Sequence, residues 1–274
     1  MTIAPTATAT LTSNGRPVPF DVDHFGELRS SDDVVGDPLA LRARYHAEGY
    51  VLLRGLLDRE AVLDLRAAYF AAFASYQGDH AHGVDGHPAH AFVRTARFQA
   101  FAQQPALLDV ARTLLGARPT TLPRKILRDY RRDTHRASRV HADFPYIDRG
   151  TDQVLTAWIP IGDCPVESGP LVYLEESHRI DRDALPRLRA VTDRPDDQRA
   201  LSHDLAWVAE QLDRRWLATD VRAGDVILHS PHIIHASLDN TSAAPRLSTD
   251  VRFIPADHRA DPRWSRAWSG DDGY

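Results

Sequence analysis

Apolar positions along this chain change their period near residue 120. Before that point they recur at helical spacing. Leu39 to Glu48 reads as a helix, and the Gly49 that follows suits its stop. Tyr50 to Arg54 is a short apolar run closed by Gly55, the pattern of a buried strand. Asp58 then stands as an N-cap before Val62, Leu65, Tyr69 and Phe73, which share one helical face. The pattern is lost from Gln77 to His90, a stretch with three glycines and His80, His82, His87 and His90. Four histidines invite a metal reading, but lost periodicity favours a polar loop with solvated histidines, or a lid over a site. Pro105 to Leu115 reads as a further helix, with proline in its first turn and Gly116 just past its end.

Beyond Pro123 the apolar runs are short. Strands are predicted at Arg124–Tyr130, Arg139–Phe144, Val154–Ile161, Leu171–Leu174, Asp225–Leu228, Ile233–Ser237 and Leu247–Ile254. Pro160 suggests an edge or a bulge for the third of these. Residues 180–220 interrupt the strands with a charged stretch and then a helical one, Ser202 to Trp216, with Leu205, Val208 and Leu212 on one side. The polar tail after Pro255 carries Trp264 and Trp268 and is expected to lie across the outside of the β core. Helices first and many short strands afterwards give an α+β class with a mainly β core.

Composition narrows the function classes. A chain of 274 residues, 43% hydrophobic, can bury a sizeable core, and one large domain is expected over residues 21–274. Met1–Asn14 is rich in Thr and Ala, so residues 1–20 read as a flexible leader without signal-peptide character. A net charge of −5 shows no nucleic-acid footprint, and no run has the length of a membrane-spanning helix. Cys164 is the only cysteine, which suits a reducing, cytoplasmic setting. The balance fits an enzyme with a small-molecule substrate.

The candidate chemistry sits in Arg139–Tyr146 and Gly224–Ser248. His141 and Asp143 are two apart in a predicted strand, so they share a face. An imidazole and a carboxylate make two-thirds of the two-histidine, one-carboxylate set of non-haem Fe(II). His229, His232 and His235 are the candidates for the third ligand. Arg246 follows His235 by eleven residues and shares a strand face with Ser248. A guanidinium fork beside a hydroxyl is a good receptor for a buried carboxylate. Arg128, Arg131, Arg132, Arg136 and Arg139 could favour an anionic substrate, but a solvated charged face is the plainer reading.

These stretches resemble the phytanoyl-CoA dioxygenase family of Fe(II)- and 2-oxoglutarate-dependent oxygenases. Beside His141-Ala142-Asp143, His235 and Arg246, similar motifs are Gly49-Tyr50-Val51, Ala157-Trp158-Ile159-Pro160, Glu167-Ser168-Gly169-Pro170-Leu171, Ser177-His178 and Ala223-Gly224-Asp225. Ser168 replaces the family's usual Asn, and Glu175-Glu176 its usual Pro-Gly. The resemblance implies a double-stranded β-helix, a jelly-roll, cupin-like barrel, with N-terminal helices packed on one sheet and a helical insertion at about residues 180–220. It further implies that His141, Asp143 and His235 bind iron, that Arg246, helped by Ser248, grips 2-oxoglutarate, and that Trp158 lines the cosubstrate pocket.

By that resemblance the activity is oxidation of a small molecule by O2, most simply a hydroxylation in bacterial specialised metabolism, as 2-oxoglutarate is decarboxylated to succinate. Desaturation, cyclisation and epoxidation would use the same residues. A non-redox cupin-like isomerase or lyase would not need Arg246 and Ser248 at that spacing. A non-catalytic ligand-binding module would bind iron and 2-oxoglutarate and form no succinate.

Overall fold

The computed structural model describes residues 9–78, 87–132, 137–183, 185 and 199–268. His80, His82 and Arg136 lie outside these. The chain opens with a hairpin of β1 (Ala9–Ser13) and β2 (Arg16–Phe20). Asn14 and Gly15 turn it at φ 52° and 73°, the left-handed pair that a two-residue hairpin favours. Residues 9–20 are thus paired strand rather than the flexible leader expected. The backbone N–H groups of Asn14 and Gly15 each donate to the Asp239 carboxylate at 2.9 Å, and Ser13 Oγ donates to Ser237 O at 2.8 Å.

After β3 (Phe25–Glu27) comes α1 (Pro38–Glu48), stopped by Gly49 at φ 78°, and then β4 (Tyr50–Leu53). In α2 (Arg59–Ala72) the cap is Asp58, as predicted, and its carboxylate accepts from Ala61 N at 2.8 Å. Three more helices follow: α3 (Pro88–Phe92), α4 (Ala96–Phe101) and α5 (Pro105–Leu115). Two histidines expected in a solvated loop are instead buried. His87 caps α3 by accepting from Ala89 N, and the His90 ring lies 4.4 Å from that of Trp268.

The remaining strands are β5 (Pro119–Thr121), β6 (Ile126–Tyr130), β7 (Leu155–Pro160) and β8 (Leu171–Leu174). They are followed by α6 (Leu205–Leu212), β9 (Trp216–Ala218), β10 (Val226–His229), β11 (His235–Ser237) and β12 (Arg246–Pro255). The large sheet has the order β4-β10-β7-β12-β5, with β6 also paired to β12; the small sheet has the order β11-β8-β9-β3. Pro160 suggests an edge or a bulge, yet β7 is central and its ladder to β12 runs in unbroken register from Leu155 to Pro160. The ladder tolerates the proline because it is the last residue of the strand. Trp216 belongs to β9, not to the helix before it, which ends at Leu212.

Side-chain parity sorts the two faces of the large sheet. Val51, Leu53, Leu155, Ala157, Ile159, Val226, Leu228, Val251 and Phe253 pack with α2, α4 and α5 in one core. Their alternates Tyr50, Leu52, Trp158 and Ile227 meet Leu171 and Tyr173 of β8. The outer face of the small sheet packs with the first hairpin and α6. Among the described residues this is a two-sheet jelly roll with helices on one sheet. The tail does not simply cross its exterior: Trp268 is buried in the helix-side core and Trp264 in a smaller one.

Candidate metal and cosubstrate site

The predicted strand at 139–144 does not form. Asp143 is right-handed helical (φ −68°, ψ −29°), and Phe144–Tyr146 is a 3-10 turn. His141 instead forms an isolated bridge to His235, with N–H to O bonds of 3.0 and 2.8 Å in the two directions. That bridge brings the imidazole rings within 4.3 Å of each other. Three ligand atoms, one each from His141, Asp143 and His235, lie within 4.8 Å of one another.

The side-chain hydrogen bonds orient all three. His141 Nδ1 donates to Arg139 O at 2.6 Å and His235 Nδ1 to Ile233 O at 3.1 Å. Each ring therefore carries its proton on Nδ1 and presents Nε2 as a lone pair. Those Nε2 atoms lie 3.8 and 3.9 Å from Asp143 Oδ1. The other oxygen, Oδ2, accepts from Thr156 Oγ1 at 2.9 Å and from Arg252 Nη2 at 2.8 Å. Burial lowers the pKa of both imidazoles, so they are neutral donors at neutral pH. Burial alone would raise the Asp143 carboxyl, but the Arg252 guanidinium beside it outweighs that and holds it well below the usual carboxylate range. Two neutral imidazoles and a carboxylate fit a first-row transition ion.

Beside the ligands lies a cavity lined by Trp158, Leu171, Arg128, Arg246 and Asp250 among others. Arg246 is buried over the Tyr130 ring, 4.2 Å away, and its Nη1 donates to Ser248 Oγ at 2.9 Å. Among the described residues its Nε and Nη2 have no hydrogen-bond partner, and neither does Trp158 Nε1. Buried donors left so are costly unless a ligand takes them. A carboxylate between Arg246 and Ser248 would do so, and the residues present fit 2-oxoglutarate.

All six residues predicted from sequence therefore meet at one place. Of the alternative third ligands, His232 is drawn away onto Phe144, with ring centroids 4.9 Å apart. His229 is adjacent, 4.8 Å from the His235 ring, but its Nδ1 is bonded to Tyr173 Oη at 3.1 Å. Its Nε2 faces Asp143 Oδ2 at 3.6 Å, the carboxylate oxygen turned away from the other two imidazoles, so His229 stands outside the ligand cluster. Arg128 was placed on a solvated face; it is largely buried and pairs with Asp250 inside the barrel. Thr156, Asp250 and Arg252 were missed. The signal existed for the last two: if Arg246 and Ser248 share a face of β12, Asp250 and Arg252 share it too.

A two-sheet jelly roll holding two histidines and a carboxylate between its sheets has the architecture of a non-haem metal oxygenase. The family model for phytanoyl-CoA dioxygenase (PhyH) matches residues 45–248, and the chain belongs to that family, an Fe(II)- and 2-oxoglutarate-dependent oxygenase class. Curated relatives include the 1-deoxypentalenic acid 11-beta-hydroxylases of Streptomyces arenae and Streptomyces exfoliatus. They are 26% and 27% identical over 257 residues, covering 85% of this chain and 87% of each relative. Among solved structures, the epimerase SnoN in complex with Fe3+, alpha ketoglutarate and nogalamycin RO aligns with a TM-score of 0.62 at 24% identity, over 82% of this chain and 88% of that one. The carbocyclase SnoK from nogalamycin biosynthesis aligns with a TM-score of 0.60 at 24% identity, over 86% and 90%. At such identities the structural likenesses bear on the fold.

Proposed function

We propose that this chain hydroxylates a small organic molecule of bacterial specialised metabolism, with Fe(II) held by His141, Asp143 and His235. The observation that carries the reading is the convergence of two Nε2 lone pairs and Asp143 Oδ1, every other polar atom of the three side chains being turned to a different partner. Arg246 and Ser248 take the distal carboxylate of 2-oxoglutarate, and Trp158 walls the cosubstrate. Hydroxylation is preferred because the hydroxylases of the two Streptomyces species match over most of both chains.

The bound iron supplies the oxidation: substrate, O2 and 2-oxoglutarate become hydroxylated substrate, succinate and carbon dioxide. The protein's part is orientation and exclusion of water. The His141–His235 bridge and the carbonyls of Arg139 and Ile233 fix both rings, so no reorganisation is needed when the ion enters. Arg246, already desolvated, binds the cosubstrate carboxylate in surroundings where a charge-assisted pair is strong. Buried Trp158 and Leu171 form the apolar part of the cavity wall. No helix among the described residues is long and apolar enough to cross a membrane. A lone, buried Cys164 supports a cytoplasmic setting.

The test is anaerobic calorimetry with Fe(II) and 2-oxoglutarate, followed by aerobic turnover on a panel of small organic molecules that includes 1-deoxypentalenic acid and nogalamycin RO. One metal per chain, metal-dependent 2-oxoglutarate binding, and succinate formed with a product heavier by one oxygen are expected. Metal binding that survives Asp143→Ala and His235→Ala unchanged would remove the assignment. A product altered in stereochemistry or ring closure without added oxygen would keep the site and change the reaction.

A further inference from the structure

Three side chains from three neighbouring strands converge on one oxygen. His229 of β10, Thr156 of β7 and Arg252 of β12 stand directly opposite one another in the sheet register. Their polar atoms lie 3.6, 2.9 and 2.8 Å from Asp143 Oδ2. All four residues are buried. A carboxylate carried on a 3-10 turn could swing to offer a metal either one oxygen or both. Here the second oxygen is already engaged by the sheet.

We infer that Arg252, with Thr156 and His229 beside it, is a positioning residue that keeps Asp143 a one-oxygen ligand and so preserves the positions that the cosubstrate and O2 need together. The inference rests on the metal reading above. Three protein ligands leave three of six coordination positions, and a chelating keto acid needs two. An Asp143 bound through both oxygens would leave only two, so a chelating keto acid would either fill the shell, with no position for O2, or have to displace the second oxygen to bind.

The geometry separates this role from a plain structural ion pair. Arg252 is buried, yet its Nε and Nη1 have no hydrogen-bond partner among the described residues. A pair built for stability would satisfy the whole fork, since unmet buried donors are costly. The guanidinium also lies over the Trp264 ring, its carbon 4.2 Å from the ring centroid. Trp264 Nε1 in turn donates to Tyr146 O at 2.9 Å, in the turn that follows Asp143. Asp261 accepts from Arg149 N at 2.9 Å, and Arg263 pairs with Asp148 at 2.6 Å. The C-terminal segment thus fastens the arginine and the ligand-bearing loop to each other. Arg252 lies beyond the residues matched by the family model, which end at 248.

The experiment compares the parent, Arg252→Met, Arg252→Lys, Thr156→Val and Asp143→Ala, loaded anaerobically with Co(II). The cobalt visible spectrum reports coordination, and 2-oxoglutarate is then titrated in, with circular dichroism as the folding control. Arg252→Met is expected to retain one Co(II) per chain with an altered spectrum and to bind 2-oxoglutarate at least about tenfold more weakly, the scale of outer-shell losses at metal sites. Arg252→Lys should restore most of that affinity. Thr156→Val, nearly isosteric, should move spectrum and affinity the same way by less, and it carries the test if Arg252→Met does not fold. A parent spectrum and parent 2-oxoglutarate affinity in Arg252→Met, or in Thr156→Val where that variant stands in for it, would overturn the inference. Loss of the metal itself in Arg252→Met, as in Asp143→Ala, would also overturn it, by making the arginine a requirement for the site rather than for its geometry. Undiminished Co(II) binding by Asp143→Ala would instead show that the metal reading had failed.

Discussion

Arg246 is a charge without a carboxylate partner among the described residues, in a barrel where Arg128 has Asp250 and Arg252 has Asp143. Its missing counter-ion is the strongest single-residue argument for an anionic cosubstrate. Arg246→Ala is expected to weaken 2-oxoglutarate binding by about 2–5 kcal/mol, the cost of losing a buried charge-assisted contact. Metal affinity should change little, and anaerobic calorimetry on the same sample reads both. Unchanged cosubstrate affinity would take Arg246 out of the site. Arg246 and His235 were legible because spacing along one chain located them. Thr156 was not, since its role depends on facing His229 on one side and Arg252 on the other, and register is a property of three strands at once. Arg128 was misread for a related reason: an arginine-rich string looks solvated until strand parity turns alternate members inward.

At the scale of elements, the order of the chain was readable and the turns were not. The caps at Asp58 and Gly49 and the helix Pro105–Leu115 came directly from local chemistry. The Arg139–Phe144 strand failed because Pro145 and its neighbours coil into a 3-10 turn. The pairing of His141 with Asp143 survived that failure because the His141–His235 bridge, not strand alternation, directs the ring. The first hairpin escaped notice because a Thr- and Ala-rich stretch has little apolar contrast, although Asn14-Gly15 is a turn signal. A sharper test of local design lies at Gly169, in the turn before β8. Its φ is 75°, and a Cβ there would stand 2.4 Å from Leu238 O, a backbone atom with no easy retreat. Gly169→Ala should therefore destabilise by more than about 1 kcal/mol, read as a lowered urea midpoint at unchanged slope. The displaced backbone leads directly to Asp239, the anchor of the first hairpin. A midpoint equal to the parent's would show that this turn yields.

For the molecule as a whole, site and stability are linked through binding and through protons. Fe(II) and 2-oxoglutarate bind the folded barrel and find no such site in the unfolded chain. Ligand at a hundredfold excess over its Kd should then add roughly 2.7 kcal/mol, seen anaerobically as a raised Tm. The proton linkage acts on the metal-free protein. Burial depresses the pKa of His141 and His235, and burial with the neighbouring Arg182 brings His232 down to about 4. Below pH 6.5 the unfolded chain binds protons at these histidines more readily than the folded chain does, down to about 4 in the case of His232. Stability therefore falls as pH drops through that window and levels off above it, where the histidines are neutral in both states. Asp143 extends the loss further into acid: its folded carboxyl stays ionised below the usual value of 3.8, so below that pH protons again favour the unfolded chain. Urea midpoints of chelator-treated protein should decline from pH 7 to 5 and steepen toward 4. His232→Gln should flatten the upper part of that decline without touching the ligand set. A midpoint constant from pH 7 to 5 would mean that these imidazoles are hydrated in the metal-free protein and that the barrel closes around its site only when the metal is present.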